Sequence, residues 1–170
     1  GRVIVSCFAS NIARIKALGG IAERSGRRVA LLGRSMERMV SIALQLGYLD
    51  DFPSRVPAND LGYLLPEEVL IIATGSQGEP RSALSRMAQG RHPALDLQPG
   101  DDVIFSARAI PGNERPIERL KAGFKRLGVN VHDEHTDPAL RASGHPAREG
   151  LRQLYRWIQQ KLLLPVHGEA

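Results

Sequence analysis

"EVLIIATG", residues 68–75, decides how the rest of the chain is read. Its apolar run, Val69 to Ala73, has no alternating polar positions that could face water. A strand of that kind is buried on both sides, and both faces of a sheet are covered where crossover helices lie on them. Beyond Gly75 a polar turn leads into "PRSALSRMAQG" (80–90), which predicts a helix with Pro80 at its first position. Strand, turn and helix together announce a parallel α/β unit.

The same alternation extends in both directions. "VIVSCF" (3–8) predicts a strand, followed by a helix in "SNIARIKALGGIAERSG" (10–26), with Ser10 as N-cap and Gly26 just past its end. "RVALLG" (28–33) is the next strand. Ser35 is then expected to cap a helix whose apolar residues fall at 36, 39, 40, 43, 44 and 46, ending at Gly47. Residues 50–66 contain Pro53, Pro57 and Pro66 and read as a loop. Further on, "DDVIFSA" (101–107) and "VNVHDE" (129–134) are strands, and "NERPIERLKAGFKRLG" (113–128) and "PAREGLRQLYRWIQQK" (146–161) are helices, before the apolar "LLLPV" (162–166). The predicted fold is a three-layer α/β/α domain with a mostly parallel, Rossmann-like sheet.

Composition narrows the function. The chain has 170 residues, 42% of them hydrophobic and 24% charged, which suits a globular domain with its own core. No apolar run approaches a membrane span, and "RVIVSCF" opens the chain without a signal-peptide pattern, as in an excised piece. Cys7 is the sole cysteine, which excludes an internal disulfide and a cysteine-based zinc cluster and suits a reducing, cytoplasmic compartment. The net charge is +5. It fits a polyanionic partner, although 19 of the 23 basic residues are Arg, which a compositional bias would also produce. Only 5% of residues are aromatic, so a nucleic acid would be held by its phosphates rather than by stacking.

Ligands of such sheets gather where the carboxyl ends of strands lead into helix N-termini. The first strand delivers Ser6, Cys7, Ser10 and Asn11 there, and the second Gly33, Arg34 and Ser35. The third delivers Ser76, Gln77, Gly78 and Glu79, and the fourth Ser106, Arg108, Gly112 and Asn113. These junctions are mostly small, hydroxylated or basic. Any one of them is an ordinary helix cap, but four together read as a phosphate-binding rim. "ATGSQGEP" by itself lacks the spaced glycines and the acidic residue of a dinucleotide site.

The histidines divide by context. His92 precedes a proline in a polar loop, and His132 and His135 lie in "VHDEHTD", which reads as a surface turn in preference to a metal site. His145 follows Ser143 and Gly144 just before a helix, where an imidazole could donate to an anion. His167 follows an apolar run and precedes Gly168, a common way to aim one metal ligand. Cys7 is a conceivable nucleophile, but without an elbow motif around it a buried structural thiol is the plainer reading.

Taken in order, "FASNIARI", "GRSMERMV", "ATGSQGEP", "IPGNE", "SGHP" and "PVHGE" resemble the ribonuclease J family, the β-CASP branch of the metallo-β-lactamase superfamily, over nearly the whole chain. The interval of 22 residues between His145 and His167 also fits. The resemblance implies a β-CASP domain over residues 1–142 and a segment, 143–170, returning to a metallo-β-lactamase domain absent from this chain. It implies RNA as substrate, a homo-oligomeric parent enzyme, and two zinc ions in that parent which this chain alone does not hold tightly. His145 would contact the scissile phosphate and assist the leaving oxygen, while His167 would bind one zinc. Ser143, Gly144, Ser10, Asn11, Ser76, Gln77, Gly78 and Glu79 would line the RNA path. Zinc would make a bound water acidic enough to supply hydroxide near neutral pH.

Two departures stand out. The family's His-x-His-x-Asp-His ligand cluster is missing, so the chain is expected to be inactive alone. Arg141 and Ala142 stand where the family usually has His-Val before "SGH", which removes one further phosphate contact. The competing reading is a non-catalytic Rossmann-type nucleotide- or RNA-binding module whose histidines are structural.

Overall fold

The structure is a computed structural model and describes residues 1–137, 140, 147–162 and 164. Six strands form one sheet in the order β3-β2-β4-β1-β5-β6, every neighbouring pair parallel. They are β1 (Val3–Ser6), β2 (Arg28–Leu32), β3 (Arg55–Val56), β4 (Val69–Ala73), β5 (Asp102–Phe105) and β6 (Asn130–His132). The helices are α1 (Ile12–Arg24), α2 (Arg34–Gln45), α3 (Ala83–Ala88), α4 (Glu114–Arg126) and α5 (Arg148–Ile158). The segment expected to be a loop holds the two-residue β3 and short 3₁₀ turns at Ala58–Tyr63 and Pro66–Glu68.

All five residues of β4 are buried, and alternate ones belong to different cores. Ile71 and Ala73, with Ile4, Ala30, Leu32, Val103 and Phe105, pack against α3 and α4 through Leu84, Met87, Ile117, Leu120 and Phe124. Leu70 and Ile72, with Val5, Val29 and Leu31, pack on the other face against α1 and α2 through Ile15, Leu18, Met36 and Val40. Chain direction explains the division. Connections running from β1 through β2 to β3 lay helices on one face. Those running back through β4 and β5 to β6 lay them on the other, as right-handed crossovers require.

Two capping expectations and one helix start are corrected. Asn11, not Ser10, caps α1, because its Oδ1 accepts from the Arg14 amide at 3.1 Å. Gly33, not Ser35, sits at the N-cap of α2 with φ of 123°, and a Cβ there would overlap the Thr74 side chain. Pro80 is not at the first position of α3, which starts at Ala83 and is capped by Ser82, its Oγ accepting from the Ser85 amide at 3.2 Å. In each case the strand-to-helix turn is longer or tighter than the sequence suggests. Gly26 does stand just past α1, with φ of 67°. Among the described residues no helix is long and apolar enough to cross a membrane.

At the amino edge of the sheet, a buried ion pair joins β1 to β5. Asp101, 2% exposed, accepts from the Arg2 amide at 2.8 Å and from the Gln98 amide at 3.0 Å, and lies 3.5 Å from the Arg2 guanidinium. Removing one partner of such a pair leaves the other charge buried and alone. Asp101→Ala should therefore lower unfolding stability by about 3 kcal/mol in a chemical-denaturation experiment.

Candidate nucleic-acid interface

The carboxyl edge collects the turns after β1, β2, β4 and β5, and it is tied together by side chains inserted between them. Ser6 is fully buried, its Oγ donating to the Ile104 carbonyl at 3.4 Å. Beyond it, Phe8 to Asn11 close a turn through the Asn11 amide and the Phe8 carbonyl at 3.0 Å, which leaves Ser10 and Asn11 exposed. One turn into α1, the Arg14 guanidinium donates to the carbonyl and the hydroxyl of Ser106 at the end of β5.

The turn after β4 is the centre of the edge. Gln77 is 5% exposed, and its amide serves three groups of the turn after β5. Nε2 donates to the Arg108 carbonyl at 2.8 Å, while Oε1 accepts from the Ile110 amide at 2.8 Å and from Asn113 Nδ2 at 3.4 Å. The Gln77 backbone N–H donates to Glu79 Oε2 at 3.0 Å. Gly78 has φ of 72°, and a Cβ there would lie 2.7 Å from Pro116 in the first turn of α4. Glycine lets this backbone lie directly against the helix.

Of the eight residues expected to line an RNA path, the described structure brings six to this edge, in two roles. Ser10, Asn11 and Glu79 are exposed and Gly78 partly so. Ser76 and Gln77 are buried, and Gln77 acts on its neighbours: it fixes the segment that carries exposed Arg108. The tie from Arg14 to Ser106 was missed. The only hint in the sequence is that Arg14 follows the capping Asn11 by three residues, which puts it over the N-terminal turn. Ser143, Gly144, His145 and His167 lie outside the described residues.

The described histidines lie outside the turns after β1, β2, β4 and β5, and the cysteine beside β1 is buried. His132, the last residue of β6, meets Asp102 Oδ1 through Nε2 at 2.8 Å, and beyond it Asp133 closes a polar turn by accepting from the His135 and Thr136 amides. Burial, and then the nearby Arg86 charge, push the His92 imidazole below its usual value. Among the described residues no three or more His, Cys, Asp or Glu come together to hold a metal ion. Cys7 is 2% exposed, and burial raises its thiol from 9.0 to about 11 against the opposing Arg14 charge.

The comparisons with known proteins agree with the order of the motifs. Residues 1–122 match the family described as "Ribonuclease J, beta-CASP domain", and residues 138–170 match "Zn-dependent metallo-hydrolase RNA specificity domain". The chain is 39% identical over 170 residues to a ribonuclease J of Sinorhizobium meliloti, covering 100% of this chain and 30% of that protein. It is 41% identical to one of Helicobacter pylori, covering 99% and 24%, and 39% identical over 174 residues to one of Mycobacterium tuberculosis, covering 99% and 30%. The chain thus spans less than a third of the length of these curated relatives.

Three outcomes follow from this geometry. Gly78→Ala, forced against Pro116 in a left-handed conformation, should cost about 1–3 kcal/mol of unfolding stability. The Cys7 thiol should resist iodoacetamide at neutral pH and react only on denaturation. A raised thiol value means the folded state keeps a proton that the unfolded state releases. Its contribution is fully present below about pH 9 and lost as pH rises towards 11, so Cys7→Ala should flatten the fall in stability across that window.

Proposed function

The chain belongs to the ribonuclease J family, and from that premise we propose that it is the β-CASP portion of a zinc-dependent RNA hydrolase, supplying a phosphate-binding rim and two active-site histidines. The observation that carries this reading is the carboxyl edge, where the β4 turn, held against α4 at Gly78, fixes the segment that carries Arg108. The exposed Asn11 and Ser10, the partly exposed Gly78 and the basic Arg108 form a surface suited to successive phosphates, with the exposed Phe8 ring beside them. Ser76 and Gln77 are positioning residues for that surface.

In this reading residues 1–142 are the β-CASP domain, and residues 143–170 return to a metallo-β-lactamase domain contributed from outside the chain. Ser143 and Gly144 help to hold an RNA phosphate, while His145 contacts the scissile phosphate, stabilises its charge and hands a proton to the leaving oxygen. His167 serves as one zinc ligand. Among the described residues no three or more His, Cys, Asp or Glu come together, and in this reading the zinc is held by His167 with ligands from a metallo-β-lactamase domain. The isolated chain binds RNA without cutting it, and the parent is a cytoplasmic homo-oligomer.

Joining the chain to the metallo-β-lactamase domain of its parent should produce RNA cleavage that neither part shows alone. In the joined protein, His145→Ala should slow cleavage by roughly 10²–10⁴-fold and His167→Ala by at least about 100-fold, with RNA affinity little changed. Binding without cleavage in every such pairing would instead favour the Rossmann-type binding module.

A further inference from the structure

Immediately after Glu79 the chain leaves the rim and runs along the outside of α3, where a groove of about 600 Å³ lies open to solvent. Its lining includes Arg81, Arg86 and Arg91, with Ser85 and Gln89 between them, and it contains no carboxylate and no aromatic ring. All three arginines are exposed. Clustering three guanidiniums raises their mutual repulsion, and nothing in the lining offsets it.

Backbone geometry holds the cluster in place. The Gly90 amide donates to the Met87 carbonyl at 2.9 Å and the Arg91 amide to the Arg86 carbonyl at 2.8 Å, with Gly90 at φ of 62°. This is a Schellman closure, and it folds Arg91 back over the end of α3 onto Arg86. At the other end Arg81 has φ of 68°, a left-handed conformation that costs a non-glycine residue energy. Glycine would fit there without strain, yet the position carries an arginine.

We propose that this groove is a second phosphate-binding track, which takes the backbone of single-stranded RNA beyond the rim and over the outside of α3. The inference rests on the reading of the rim as an RNA surface, because the groove begins at Pro80, the residue after Glu79. The chemistry of the lining specifies the ligand. Planar guanidiniums match phosphate bidentately, and the hydroxyl and amide of Ser85 and Gln89 suit sugar and phosphate oxygens. Without an aromatic side chain, the track ignores base identity.

The test is fluorescence anisotropy of the chain with a labelled oligouridine of about 12 nucleotides, measured over a series of salt concentrations. Replacing Arg81, Arg86 and Arg91 together by Gln should weaken binding roughly tenfold and reduce the salt slope by about 2, since each single-strand phosphate contact contributes about 0.7. A control with Arg24, Arg28 and Arg126 changed to Gln removes the same charge at the amino edge and should change binding much less. Arg81→Gly guards against misfolding, because it should raise the melting temperature while lowering RNA affinity. If wild type binds and the groove and control variants behave alike, or if a polyglutamate peptide competes as well as RNA, the groove inference is overturned and the rim reading survives. If wild type binds no RNA, both are overturned.

Discussion

Because every residue of β4 is buried, the strand must be covered on both sides, and that requirement organises the molecule. Ile71 and Ala73 face one core while Leu70 and Ile72 face the other, and helices from opposite ends of the chain supply the two layers. The strand sits between β2 and β1, so its connection passes over β1 to reach β5. Neighbouring strands therefore send their chains to opposite faces, which opens crevices at the carboxyl edge. The turn that leaves β4 is placed in the middle of that edge.

Within this edge, order comes from buried polar groups more than from apolar contact. Gln77 satisfies one donor and two acceptor interactions with a neighbouring turn, and Arg14 reaches the end of β5 from α1. A buried amide that lost these partners would have to be desolvated without compensation, so the clamp closes in one arrangement. Gly78 contributes by what it lacks, since a side chain would push the turn away from α4. The surface presented to a ligand is thus held by residues that the ligand need not touch.

The layered fold was legible because β4 has no polar alternation and because helix periods recur on either side of it. Short features were not. β3 has two residues and stands within a proline-rich stretch, so no period marks it. The caps fell one or two residues from the expected serines because Asn11 accepts from the Arg14 amide three residues on, and Gly33 lies against Thr74, which only the folded chain brings near. At the site, residue types in "ATGSQGEP" pointed to the correct turn. Which of them face outward could not be read, because the burial of Gln77 depends on a loop more than 30 residues away. The basic groove on α3 was missed for a related reason: Arg81, Arg86 and Arg91 look scattered until the turn after α3 folds back.

The proposed function places RNA phosphates at the carboxyl edge of this sheet. Backbone amide shifts of the isotope-labelled chain, followed by NMR during titration with single-stranded RNA, test it most directly. Binding there should concentrate the changes at residues 8–11, 75–81 and 108–113 and leave the amino edge around Arg2 and Asp101 unchanged. Changes confined to that amino edge, or no saturable change anywhere, would contradict it.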